Sequence, residues 1–276
     1  MKVEEIKPYS DKGGSPLETT ASSQDASTST QNYPDCDKAE DNKGKQVQQM
    51  FDSIAYRYDF MNAAMSLGQH KRWRNKALKS ALKNLNDKQK IKILDVATGT
   101  GDVAFRLHEL LPEALITGID LSEGMLKLAR KKLETYPTAE RKKLTFGIGD
   151  SLALPFHDGE FQFVSVAYGV RNFADLRKGI HEMRRVLDQG GVLCIIELST
   201  PQGWFTKAAY KMYAGKLIPW LGKKITGDAR AYSYLPESIE ACPQRDDMAA
   251  LLYAEGFTDV KWKSLSFGAL TYFIAR

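Results

Sequence analysis

The run ILDVATGTGDVAF, residues 93 to 105, constrains the fold of this chain more than any other stretch. A short β-branched strand runs into Gly99-Thr100-Gly101 and then directly into residues spaced at helical period. That order suits a chain that turns sharply and lets a ligand approach bare backbone at the strand end. The glycines alone leave the ligand open, because Gly99-x-Gly101-x-x-Ala104 also satisfies the nicotinamide or flavin fingerprint. A Walker phosphate loop is excluded, since no Gly-Lys-Ser/Thr follows.

The elements around this loop alternate. IKILDVA, ALITGID, KLTFGIGD, FQFVSVAYG and GVLCIIELS read as strands. GDVAFRLHELL, SEGMLKLARKKLE, ADLRKGIHEMRRVL and DDMAALLYAEGF read as helices, the second opened by Ser122 in the N-cap position. Alternation of this kind predicts an α/β fold with a parallel sheet wrapped on both faces. The end differs: TDVKWKSLSFGALTYFIAR is two β-rich runs about a Phe-Gly, which predicts a terminal hairpin. Upstream, Val47, Met50, Phe51, Ile54 and Tyr58 share one face of a predicted helix, and a polar, Lys-rich stretch separates it from the first strand.

Residues 1–46 are rich in Ser, Thr, Asp, Lys and Gln and hold almost nothing to bury, so a disordered tail is expected there and a single domain over 47–276. The tail carries nine acids and six lysines, so the remainder is eight positive where the whole chain is five. A basic body suits an anionic surface, a lipid headgroup layer or nucleic acid, and equally an ordinary solvated basic face. No run approaches eighteen apolar residues, and the start lacks the pattern of a secretory signal or an Arg-rich presequence; a cytoplasmic protein is expected. Cys36, Cys194 and Cys242 are odd in number and form no CxxC pair, which argues against a disulfide framework and a zinc site.

Acids separate the remaining ligand classes. Asp95 lies in the approach strand, Asp102 follows the glycines, Asp120 ends the second strand and Asp150 follows the third. The charges of Asp95 and Asp102 repel a pyrophosphate and favour a ligand bearing an ammonium and a sulfonium. Asp120 would accept hydrogen bonds from a ribose in either type of nucleotide site and so does not discriminate, whereas Asp150 is placed to receive an adenine amino group. With the terminal hairpin, the chain resembles the class I S-adenosylmethionine-dependent methyltransferases. The resemblance implies a Rossmann-like, mostly parallel seven-stranded sheet closed by a C-terminal antiparallel hairpin. It implies cofactor contacts at Asp95, Thr98, Gly99, Thr100, Gly101, Asp120, Asp150, Ser151 and Ala167, and no metal.

A narrower resemblance lies outside that loop. YDFMNAAMSLGQHKRW, residues 58 to 73, follows the Tyr-Asp-x-Met-Asn, Ser, His-x-x-Trp pattern of the UbiE/MenG family of quinone C-methyltransferases. RVLDQGGVLCIIELS, residues 185 to 199, follows its second signature at Arg185, Val186, Leu187, Gly190, Gly191, Glu197 and Ser199, and departs from it at Asp188 and Gln189. The likeness runs from about Val47 to Arg276. It implies transfer of a methyl group to a ring carbon of an isoprenoid quinol, the last step to menaquinone or a late step to ubiquinone. A ring carbon attacks only after a neighbouring phenol loses its proton, so the site must align the reactants and lower that phenol's pKa. Arg171 and Asn172, after the fourth strand, are the candidates to meet the substrate, with Arg171 stabilising a phenolate directly or through water. Tyr58 and His70 are candidates to hydrogen-bond the quinol oxygens.

A polyprenyl substrate lives in a bilayer. Residues 203–240 contain Trp204, Phe205, Tyr210, Tyr213, Ile218, Trp220 and Leu221 interleaved with lysines, a composition suited to a lid or an interfacial segment. A peripheral position at the inner membrane, a naphthoquinol substrate and a homodimer are the expectations. The competing readings are a class I methyltransferase acting on another phenolic or lipidic molecule, and an RNA-binding protein or RNA methyltransferase. The second lacks a base-stacking motif or an appended RNA-binding domain, so no nucleic-acid partner is expected.

Overall fold

Strand β1 (Lys92–Val96) holds the centre of the sheet because its side chains are buried on both faces, Ile93 against one helical layer and Leu94 and Val96 against the other. The computed structural model describes residues 68–86, 91–204 and 230–276 (side chains of 230–234 excepted), together with Gln48, Gln49, Asp52, Ser66 and Thr206. The expected tail over 1–46, the apolar face running from Val47 to Tyr58, and residues 207–229 lie outside the described residues.

The other strands are β2 (Leu115–Asp120), β3 (Leu144–Ile148), β4 (Phe161–Ala167), β5 (Leu187–Leu198), β6 (Val260–Leu265) and β7 (Leu270–Ala275). They form one sheet in the order β3-β2-β1-β4-β5-β7-β6. β1 to β5 pair in parallel, and β7 is antiparallel to both β5 and β6. This is the Rossmann-like sheet with a terminal hairpin that the sequence predicted.

Helices cover both faces, which is why the central strands read as unbroken apolar runs. On one side α1 (Gln69–Ala81), α2 (Asp102–Leu110) and α3 (Glu123–Leu133) bury Leu78, Leu107 and Leu126 against Ile93, Ile116 and Phe163. A one-turn helix, α4 (Thr138–Arg141), precedes β3. On the other side α5 (Leu176–Val186) and α7 (Asp246–Ala254) bury Ile180, Met183, Met248 and Leu252 against Leu94, Val164, Ile195 and Phe273. α6 (Arg230–Ala241) leads into α7 and packs on the short turn after β4. Helix α3 starts where the sequence places it, with the Ser122 hydroxyl accepting from Met125 N at 3.1 Å.

Two elements differ from the sequence reading. Residues 69–81, part of the polar stretch before the first strand, form α1; its buried residues are His70, Ala77, Leu78 and Ala81, a histidine and two alanines that mask the amphipathic pattern. β5 begins at Leu187 rather than Gly191, because Leu187 pairs with Phe161 before a register shift restores pairing at Val192 and Phe163. Asp188 and Gln189, the departures from the family pattern, therefore sit in a bulged strand start.

Candidate active site

The sheet order reverses between β1 and β4, and in open α/β sheets ligands bind beyond the carboxyl ends of the strands at that point. Both strands leave the sheet there through a non-glycine residue in the left-handed region, Ala97 at φ 52° and Tyr168 at φ 60°. Such backbone costs about 1–2 kcal/mol per residue and persists only where its surroundings impose it. The two turns touch, since a Cβ on Gly169 would come within 2.8 Å of the Ala97 Cβ.

The glycine loop is built on Asp120 and Asp95. Gly99 N donates to Asp120 Oδ2 at 2.8 Å, and Ser122 N donates to Asp120 Oδ1 at 2.9 Å, so one carboxylate ties the loop to the next βα junction. Asp95 lies a layer beneath. It is 1% exposed, and its two oxygens accept from the hydroxyls of Thr98 at 2.6 Å and Ser165 at 2.7 Å. Burial pushes the Asp95 carboxyl up to about 6, against the opposing pull of those two hydrogen bonds. Burial also raises Asp120, opposed by the backbone N–H groups that it accepts from.

A Cβ at Gly99 (φ 57°) would meet no protein atom within 4 Å, so the loop's bare backbone faces open space beside the N-terminus of α2. Gly101 serves the opposite purpose. At φ 82° its Cβ would come within 2.8 Å of Phe105 and 3.0 Å of Phe146. Gly101→Ala is expected to lower stability by about 2–4 kcal/mol, combining left-handed strain with overpacking; thermal unfolding checks this, and an unchanged melting temperature would contradict the close packing.

Asp102 does not contribute free negative charge to the site, contrary to the sequence argument. It bonds Arg74 of α1 and Lys132 of α3, each at 3.0 Å. Burial alone would raise its carboxyl, but these two cations outweigh it and hold the group below the ordinary value. Of the two acids in that argument, Asp95 is left to repel a pyrophosphate.

Asp150 is exposed beyond β3, where its Oδ1 accepts from Leu152 N at 2.9 Å, and Ser151 is buried next to it. Gly149 N donates to Asp120 O at 3.2 Å, which brings this stretch against the second acid. Ala167 ends β4 opposite Ile196. Arg171 and Asn172 occupy the turn that follows, with Asn172 N donating to Gly169 O at 2.9 Å. The Arg171 guanidinium is buried, 7% exposed, in an ion pair with Glu197 of β5 at 2.8 Å, and it also donates to Tyr168 O. His70, in the first turn of α1, is buried and within 2.7 Å of the Ser66 hydroxyl through Nδ1. Tyr58 lies outside the described residues.

Sequence reasoning assigned no role to four supports of this site. Ser165 and Glu197 are the polar interruptions of FVSVA and CIIEL, a signal available in the sequence. Gln48 and Asp52 reach the junction between β2 and α3 from the N-terminal segment, Gln48 Nε2 donating to Leu121 O at 2.9 Å and Asp52 Oδ1 accepting from Gly124 N at 3.0 Å and from the Ser122 hydroxyl. Asp52 is thus a second cap on α3, beside Ser122. Asp52→Ala is expected to cost about 1 kcal/mol and to shrink the rise in melting temperature produced by saturating cofactor. An equal rise in both proteins would show that the contact does not reach the site.

Comparison with known proteins agrees with this geometry. Residues 38–276 match the ubiE/COQ5 methyltransferase family. A demethylmenaquinone methyltransferase of Bacteroides fragilis is 45% identical over 234 residues, covering 84% of this chain and 93% of the relative. A ubiquinone/menaquinone biosynthesis C-methyltransferase UbiE of Geotalea uraniireducens is 37% identical over 235 residues, covering 85% and 97%. Among solved structures, a SAM-dependent methyltransferase from Thermotoga maritima superposes with a TM-score of 0.54 at 16% identity, covering 82% of this chain and 98% of that one, which shows the shared fold. With a glycine loop open to ligand at the switch point and two buried acids behind it, this chain belongs to the ubiE/COQ5 methyltransferase family and is an S-adenosyl-L-methionine-dependent methyltransferase.

Proposed function

We propose that the protein methylates a ring carbon of demethylmenaquinol, an isoprenoid naphthoquinol, to give menaquinol, the last step of menaquinone biosynthesis. The observation that carries this reading is the placement of Arg171 by Glu197 on the strained Tyr168 turn, across the switch point from Gly99. S-adenosylmethionine supplies the electrophilic methyl group. Asp120 and the Gly99 backbone hold its nucleoside end, and Asp95 provides negative potential beneath the loop for its ammonium.

The chain's remaining task is to make the carbon nucleophilic. Removing the phenol proton spreads charge onto the ortho carbon, and a fixed guanidinium lowers the cost of that charge. Arg171 is suited to the work directly or through a water, because Glu197 and the Tyr168 carbonyl fix its position before substrate arrives. Asn172, His70 and Tyr58 orient the quinol oxygens. The substrate reaches the site from a membrane surface to which the protein binds peripherally; no helix among the described residues is long and apolar enough to cross a membrane.

The test is transfer of labelled methyl in detergent under reducing conditions, comparing demethylmenaquinol with a demethylated ubiquinol precursor. Product from the naphthoquinol is expected. The relative named for both pathways makes the second acceptor a necessary arm, and product from neither, with cofactor still bound, would overturn the proposed substrate.

A further inference from the structure

The β6–β7 turn, Ser266–Gly268, sits at the same edge of the sheet as the cofactor loop, since Leu265, Leu270 and Leu198 stand in register at the carboxyl end of β5. Phe267 at its tip is 85% exposed. Its backbone is left-handed, φ 57° and ψ 21°, as is that of Ser266 at φ 47°. A bulky aromatic residue in that region is an outlier, and the usual reward for strain, burial of the ring, is missing here.

The turn is nevertheless held from several sides. Trp73 Nε1 of α1 donates to the Ser266 hydroxyl at 2.8 Å, the Ser199 hydroxyl donates to Gly268 O at 2.7 Å, and Ser199 N donates to Ala269 O at 3.0 Å. The buried Arg245 guanidinium reaches Gly268 O at 3.4 Å. A Cβ on Gly268 would come within 3.3 Å of the Pro201 Cα, so the turn also lies against the chain leading to Trp204, itself 84% exposed. A rigid mount that holds one aromatic ring in water, beside the chain that leads to a second, has the form of an anchor waiting for an apolar phase.

We infer that Phe267 and Trp204 form a bilayer-inserting edge that docks the mouth of the active site onto a lipid surface. The choice of a bilayer over a protein partner rests on the proposed isoprenoid quinol substrate, which is delivered from lipid. The indole of Trp204 suits the headgroup level and the apolar Phe267 ring the acyl boundary beneath it, and the net positive charge of residues 47–276 has the sign that an anionic leaflet attracts.

The test uses the full chain and vesicles of phosphatidylcholine with phosphatidylglycerol, read by flotation. Phe267→Gly removes the ring and suits the left-handed backbone, so this variant is expected to melt no lower than the wild type yet bind vesicles about tenfold more weakly, about 1.4 kcal/mol. Trp204→Ser is expected to add to the loss. Tyr253→Ser, which removes an aromatic 51% exposed and bonded to Val260 at the opposite edge of the sheet, is expected to bind as the wild type does. With demethylmenaquinol embedded in the vesicles, Phe267→Gly should raise KM, while kcat on a short, prenyl-free naphthoquinol in solution stays unchanged. Equal flotation of wild type and Phe267→Gly, or equal loss with Tyr253→Ser, would overturn the inference. A wild type that floats but methylates neither naphthoquinol would overturn the proposed substrate and leave the docking edge standing.

Discussion

Replacing Arg171 with alanine will destabilise the protein by about 3–5 kcal/mol, because it strands the Glu197 carboxylate in the interior. Glu197 is 3% exposed; it accepts from the Arg171 guanidinium and backbone N–H and from Leu198 N, and none of these contacts is screened by solvent. Stability and chemistry can be separated. In the double variant Arg171→Met with Glu197→Gln both charges are gone, Gln retains an acceptor oxygen for the backbone, and most of the lost stability should return. Turnover should not. If Arg171 stabilises the forming phenolate, kcat stays down about a hundred- to a thousandfold in the double variant, within the range for loss of one oxyanion donor. Denaturant unfolding together with single-turnover methyl transfer gives both readings, and a double variant that regains turnover along with stability would reduce Arg171 to a structural ion pair.

Asp95→Asn should raise stability while weakening the cofactor. The folded chain keeps a proton on Asp95 up to about pH 6, whereas an ordinary aspartate releases it near 3.8. Native protein therefore binds more protons between those values, and stability falls as pH rises through them, ending about 3 kcal/mol lower above pH 6. Asparagine is neutral throughout, and the Thr98 and Ser165 hydroxyls can still pair with its amide. A melting temperature higher by about 6–12 °C near pH 8, with no gain near pH 4, is the expected result. Cofactor binding should move the other way, about ten- to a hundredfold weaker, because the negative potential under the loop is lost. Wild-type affinity should rise with pH through about 6 and the variant's should rise less. Asp120, also pushed up by burial, leaves a residual slope, so the difference between the two proteins is the decisive quantity. Unchanged affinity in Asp95→Asn, measured by calorimetry, would remove Asp95 from the cofactor site.

The parts of the molecule that could be read from sequence are those where a local signal and the global fold agree. β1, the glycine loop and α2 form one continuous pattern, and Ser122 and the Phe-Gly of the hairpin announce themselves by residue type. α1 escaped because it starts after Gly68 in a left-handed conformation with no side-chain cap, and because Leu78 is the one large apolar residue among its four buried ones. The electrostatics of the site were legible only in part. Asp102 counts as an acid in the sequence, yet Arg74 and Lys132 neutralise it from helices 28 and 30 residues away, a fact that no window along the chain contains. Arg185 shows the reverse: it belongs to a family signature, but its bonds to Leu154 O and Phe156 O make it a brace for the stretch after Asp150.

The order of strands in the sheet bears on how the protein is made. β7 follows β6 along the chain but is inserted between β6 and β5, so β6 cannot join the sheet until β7 has paired. Closing β5 onto β7 spans on the order of 70 residues, a non-local contact that forms late in folding. Before it forms, β5 is a raw edge whose Val192, Leu193, Cys194, Ile195 and Ile196 are all fully buried in the finished sheet. An open apolar edge of this length is a template for pairing with another nascent chain. Lesions in the hairpin should therefore lower soluble yield more steeply than they lower the melting temperature of the molecules that do fold.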